Sequence, residues 1–220
     1  MEMTKLREIV RTLYGVAKPQ GCTEAEIDGV RERFGALPAV VEDFWRTFGH
    51  TKRLNQCQDD WVFPGHYSKW KWLEEHDDLI LLNENQSVFQ ACVQRADLAL
   101  PAPPVYLLEG PSPRLLSAPT VSSFLEATLL YEAVFQLEYS PEEFFEFTEA
   151  DLAVIRSRLT KRPALQKNWF VTETSFYSDR PDNLLVVMDM GGDYQGLYGA
   201  NTQESYAALM EVMEGLGEPI

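Results

Sequence analysis

The sequence predicts an α+β protein with a largely antiparallel sheet flanked by helices. Three observations carry that expectation. Helical patterns cluster at the start, strand-like runs follow, and the order then goes helices, strands, helix; a doubly wound sheet would alternate strand and helix regularly. The later strand-like runs are joined by RPDN (180–183) and GGD (191–193), short turn-forming connections of the kind that close an antiparallel meander. The chain has 220 residues of which 45% are hydrophobic, enough for one sizeable core. We therefore expect a single domain over 1–220, with 137–220 as a candidate extension of the same sheet.

The elements follow in order. Leu6, Ile9, Val10, Leu13 and Tyr14 recur at helical spacing within 4–17. Thr23 and Glu26 form a capping box: the hydroxyl accepts from a free helix N–H while the carboxylate reaches back. Ile27, Val30 and Phe34 mark the face of the helix that follows, and Gly35 offers its stop. Pro38 suits the opening turn of the next helix, whose stripe is Val40, Val41, Phe44, Trp45 and Phe48, with Gly49 at its end. Residues 50–78 are polar and irregular, with a short helix expected in WKWLEEHDD (70–78). LILLN (79–83), SVFQACV (87–93) and PPVYLL (103–108) read as strands.

The stretch 120–136 predicts a strong helix with Val121, Phe124, Leu125, Thr128, Leu129 and Phe135 on one broad face. Capping boxes at Ser140-Pro141-Glu142-Glu143 and Thr148-Glu149-Ala150-Asp151 predict two short helices ending near Leu159. Residues 169–177, 183–190 and 194–199 read as three more strands. A final helix after Asn201 is expected to turn Tyr206, Leu209, Met210 and Met213 inward.

Charge narrows the function classes. There are 34 acidic against 19 basic residues, a formal charge of −15. Such a surface repels nucleic-acid phosphates and anionic lipid, and it attracts cations or basic proteins. No apolar run approaches the roughly 20 residues that span a bilayer. The charged N-terminal stretch reads as a helix rather than a signal peptide, so a cytoplasmic protein is expected. The three cysteines, Cys22, Cys57 and Cys92, form no CxxC pair and fit a reducing compartment.

Signatures of chemistry are missing. There is no GxGxxG, P-loop, HExxH, EF-hand loop or GxSxG elbow. Neither a metal site, a cofactor nor a catalytic residue is expected, although 34 acids guarantee some close carboxylate pairs. Two segments are candidates for partner binding. In 59–78, Asp59, Asp60, Trp61, Trp70 and Trp72 combine acids and rings in a loop, which serves either as a binding surface or as a loop pinned to the core by its tryptophans. In 138–151, Glu142, Glu143 and Glu146 lie among six acids, four aromatics and no bases. That composition suits a basic partner, and it equally suits helix capping over core phenylalanines.

The run FGALPAVVEDFWRTFGH (34–50) resembles the helix entry of the SUKH superfamily through Gly35, Leu37, Pro38, Phe44, Trp45, Phe48 and Gly49. Glu84, Asn85 and Gln86, then Pro103, Pro104 and Val105 with the helix SSFLEATLL after them, resemble a bacterial subset of that superfamily. Phe48 stands where asparagine is usual, and Ala102 where aspartate is usual. The resemblance covers about 22–136 and implies a non-enzymatic fold. Its implied function is protein binding, as in bacterial immunity factors that neutralise toxins by stoichiometric occlusion, or in a regulatory scaffold. A basic toxin domain would be the partner, with no nucleic acid and no membrane; oligomeric state is left open. A small-ligand protein or an enzyme using 59–78 as a pocket wall is the remaining alternative. Glu84, Asn85 and Gln86 themselves read as hairpin residues whose side chains satisfy nearby backbone groups.

Overall fold

In a computed structural model of the chain, residues 2–109, 114–141, 143–169 and 171–220 are described. The N-terminal helices form where the spacing and caps place them: α1 (Glu2–Leu13), α2 (Glu24–Phe34) and α3 (Ala39–Phe48). The Thr23 amide donates to Glu26 Oε2 at 2.8 Å, and the Glu26 amide returns a 3.4 Å bond to Thr23 Oγ1. Gly35 ends α2 at φ +81°, a conformation that favours glycine, and Pro38 is the N-cap of α3. The apolar stripes of all three helices are buried except for half-buried Val40, with Trp45 among the largest fully enclosed side chains.

Residues 59–118 build the first sheet. Its strands are β1 (Asp60–Trp61), β2 (Leu79–Asn83), β3 (Gln90–Val93), β4 (Val105–Leu108) and β5 (Leu115–Ala118), antiparallel and in chain order. A one-turn helix, α4 (Pro64–Tyr67), and a 3-10 turn at Lys71–Glu75 cross the space between β1 and β2. Side-chain alternation splits this sheet between two cores. Leu79, Leu81, Ala91 and Val93 face the main core, while Ile80 and Cys92 face a small cluster under Val62 and Leu73. Trp70 and Trp72 pack half-buried on that cluster.

After α5 (Val121–Val134) come β6 (Phe145–Phe147), α6 (Glu149–Arg158), β7 (Thr160–Lys167), β8 (Glu173–Ser178), β9 (Asn183–Asp189), β10 (Tyr194–Ala200), α7 (Gln203–Met213) and β11 (Glu218–Pro219). These strands form a second antiparallel sheet in the order β11-β6-β10-β9-β8-β7. The fold class is therefore α+β with two antiparallel sheets, of five and six strands, and the expected extension of one sheet through 137–220 is corrected. No described strand after residue 137 pairs with the first sheet. The rim strand β7 is irregular: Pro163 has no N–H, and the β7–β8 register shifts between Lys161 and Leu165. The rims of the two sheets meet instead through a side chain, as Asn168 Nδ2 donates to the Leu116 carbonyl at 2.9 Å.

The second sheet is covered on both faces, which explains why every residue of NLLVVM (183–188) is buried. Phe176, Leu184, Val186 and Met188 enter the main core; Tyr177, Leu185 and Val187 enter a second core with Leu152, Ile155, Leu159, Leu209 and Met213. Helix α5 lies between the sheets, with eleven of its fourteen residues buried. A helix apolar on nearly all sides is a helix with neighbours on all sides. The predicted face holds except at Phe135, which is exposed just beyond the helix.

Two further expectations change. The box at Ser140 opens no helix: residues 145–147 are a strand paired with β10, and Glu142 lies outside the described residues. Extended pairing with a strand fifty residues later outweighs a local cap. The box at Thr148 does form, closed by Asp151 at 2.8 and 3.2 Å. Met210 faces outward and is exposed, while Leu209 and Met213 are buried.

Candidate functional site

Glu84 answers for the hairpin it opens. Its Oε2 accepts the Val88 amide at 2.9 Å, its carbonyl accepts the Ser87 amide at 2.7 Å, and Ser87 sits at φ +59° in the turn. Asn85 and Gln86 are exposed at the tip. Pro103 offers its carbonyl to the Val121 amide at 2.8 Å, Pro104 is half-buried, and Val105 is enclosed at the start of β4. Leu37 is half-buried and Gly49 buried, so the residues that carry the family resemblance mostly shape the framework.

Asp59 and Trp61, expected on a binding surface, are interior residues, each 2% exposed. The indole N–H of Trp169 donates to Asp59 Oδ2 at 2.9 Å and the Asn85 amide to Oδ1 at 3.2 Å. The Asp59 amide donates to Glu132 Oε2 at 3.1 Å. Glu84 and Glu132 are buried beside it, and this gathers three carboxyls from the β1 entry, the β2–β3 turn and α5. Burial, and then the Glu84 charge, push Asp59 up to about 6 despite those donors. Burial, and then the Asp59 charge, push Glu132 well above the carboxylate range, which favours its protonated form. Through Asp59 the cluster links the entry to β1 with the β2–β3 turn, α5 and Trp169, and all three carboxyls are buried. Trp61 belongs to the same interior, its ring 5.0 Å from that of Phe44.

The remaining candidates divide between two places. Asp60 is exposed on β1, an edge of the first sheet, and Trp70 stacks on His66 with ring centres 4.0 Å apart. Glu143, just before β6, and Glu146, on it, are exposed. Here the chain has built a groove of about 460 Å³, lined by Glu146, Phe147, Thr148, Asp151, Gly217 and Glu218 among others. Gly217 positions its far wall. At φ +70° it turns the chain, and a Cβ there would stand 2.7 Å from the Phe147 ring. The turn lets β11 pair with β6, with Glu218 directly opposite Glu146 and the Ile220 amide bonded to the Phe144 carbonyl at 2.9 Å.

Like charges directly opposite in an antiparallel pair repel. Here no Lys or Arg lines the groove to offset them, and neither glutamate joins an ion pair among the described residues. Asp151 is committed to its cap, so Glu146 and Glu218 are the acids left to meet a ligand. Exposed Phe144 and Ile220 flank them. Two acids beside apolar side chains can hold an ammonium or guanidinium group while its aliphatic stem packs alongside. Glu146 comes from the segment 138–151, which the sequence offered either as a partner surface or as capping over core phenylalanines. Glu218 gave no signal, because it becomes part of the site only through a pairing seventy residues away in the chain.

No helix among the described residues is long and apolar enough to cross a membrane. Comparison with protein-family models, with curated proteins and with solved structures gives no match.

Proposed function

We propose that the protein is a binding module for a basic protein, gripping a Lys- or Arg-bearing segment in the groove between β6 and β11. The observation that carries this reading is the Glu146–Glu218 pair. Its like charges stand opposite each other, held in place by backbone pairing, and a cation from a partner would relieve their repulsion. The formal charge of −15 adds long-range attraction that speeds encounter with a positive partner and weakens as salt rises. With the SUKH resemblance at 34–50 and 84–105, the partner class becomes a basic toxin domain, and the role stoichiometric occlusion in an immunity protein rather than catalysis.

The test is a tagged pull-down from lysate of the producing cell at low and high salt, with bound proteins identified by mass. One stoichiometric basic protein, released as salt rises, is expected. Co-expression with that protein should restore growth if it is a toxin. Several substoichiometric partners would instead support a regulatory scaffold, and an empty lane at low salt would sink the binding proposal.

A further inference from the structure

A second cluster of ligand-type side chains lies on the N-terminal side of the molecule, away from the groove. Cys22 precedes α2, Glu26 is in its first turn, and His50 follows α3. One ligand atom from each falls within 4.8 Å of the other two. We propose that Cys22, Glu26 and His50 form a binding site for a divalent transition-metal ion of the Zn2+ class, with the fourth position open to water.

The backbone builds the site before any ion arrives. The Cys22 amide donates to the Trp45 carbonyl at 2.9 Å, and the His50 amide donates to the Gln20 carbonyl at 2.9 Å. Thr51 Oγ1 bonds the amide and carbonyl of Gln20 at 2.9 and 3.0 Å. The loop before α2 is thus zipped to the end of α3, and two of the three ligands are fixed relative to each other. Gly49 makes room for the sulfur: a Cβ at that position would stand 2.2 Å from Cys22 Sγ.

The capping role of Glu26 competes only in part. The Thr23 amide, the Thr23 hydroxyl and His50 Nε2 all approach Oε2, at 2.8, 2.8 and 3.0 Å. Oε1 takes none of these bonds. A carboxylate oriented by its second oxygen is a common support for a metal ligand. The His50–Glu26 contact is a shared-proton position, where a cation can replace the proton.

The donor set selects the ion. Thiolate and imidazole favour Zn2+ and its neighbours over Ca2+ or Mg2+, which take oxygen ligands. Three protein ligands leave a coordination position for water, and exposure of His50 opens that side to solvent. The proton balance is simple. Burial, and then Glu26, push the Cys22 thiol up to about 12, so it is protonated without metal; coordination expels that proton to solvent as the sulfur–metal bond forms. The residues are separated by three and twenty-three positions, with no CxxC or HExxH spacing. The site exists only through the packing of α2 on α3, which is why the sequence reading expected no metal.

The test titrates reduced, untagged protein with Co2+ and then Zn2+. We expect one equivalent of Co2+ to raise a thiolate-to-cobalt charge-transfer band that Zn2+ bleaches, and one equivalent of Zn2+ to raise the melting temperature. Cys22→Ser should abolish the band, and His50→Ala and Glu26→Gln should each weaken binding at least about tenfold. His50 is exposed, and glutamine can still accept from Thr23, so circular dichroism should show both of these variants folded. Absence of a saturable band overturns the proposal. So does unchanged affinity in any of the three variants, which would move the ion to other groups such as Cys57.

Discussion

Glu146→Lys combined with Glu218→Lys is expected to cut affinity for the basic partner at least about 100-fold, equivalent to about 2.7 kcal/mol. The reversal faces the partner's cation with like charge, which costs far more than removing an exposed ion pair. Each single reversal carries a second signature. Glu218→Lys turns the repulsive pair with Glu146 into an attractive cross-strand pair, so that variant should melt no lower than the parent. Binding lost with stability kept marks a surface shaped for a ligand. Titration calorimetry against the captured protein, at low and high salt, reads the first quantity, and thermal unfolding reads the second. Parent-like affinity in the double variant would remove the groove from the proposed function. Asp60→Lys, on the edge of the first sheet, serves as the matched control and should change affinity much less.

Glu132→Gln is expected to stabilise the protein at neutral pH by about 1–3 kcal/mol, the range associated with one unsatisfied buried polar group. For a chain of this size about 2 kcal/mol corresponds to roughly 4–8 °C in melting temperature. Glutamine keeps an oxygen for the Asp59 amide and gains an N–H₂ to donate permanently where Glu132 must hold a proton. The pH dependence follows from the direction of the shifts. Asp59 and Glu132 both have folded pKa values raised above their unfolded ones, so the folded state holds more protons as pH climbs through the unfolded values. Stability from this pair is therefore greatest in acid and declines as pH rises through about 6 and beyond. The gap between Glu132→Gln and parent should widen from pH 5 to pH 8. A gap that is flat or narrows would mean that burial does not hold the Glu132 carboxyl above its usual range in the folded protein.

Much of the fold was legible because its causes are local. The helix spacing of α1 to α3, the boxes at Thr23 and Thr148, and the short apolar runs in 79–83 and 183–189 each act within a few residues. What escaped the sequence reading depends on distant partners. Residues 145–147 look like the body of a capped helix until β10 offers a ladder, and 160–167 carry too much charge and a proline to read as a strand. That these strands form a sheet apart from the first was not legible, although β8 to β10 themselves were, because the separation depends on pairings between distant segments. Asp59 looked like a surface acid because its compensation comes from Trp169, Asn85 and Glu132, which are far away in sequence. The acidic stretch 138–151 was legible as a surface, but its groove needed Gly217 and Glu218 to close it.

The position of α5 has a consequence for how the chain is made. A ribosome that has released residues up to 137 has delivered the whole first sheet and this helix, while the strands that cover the helix's other side are still untranslated. Leu129, Leu130 and Ala133 then lack part of their final surroundings, and so does Glu132, whose neighbour Asp59 waits for the Trp169 indole. The nascent half is thus an adhesive intermediate that becomes soluble only when β7 to β9 arrive. Arrested chains ending at 137 should be cut readily by protease and held by chaperones, whereas chains extended past Ala200 should resist. Equal resistance at both lengths would mean that the first half closes without the second.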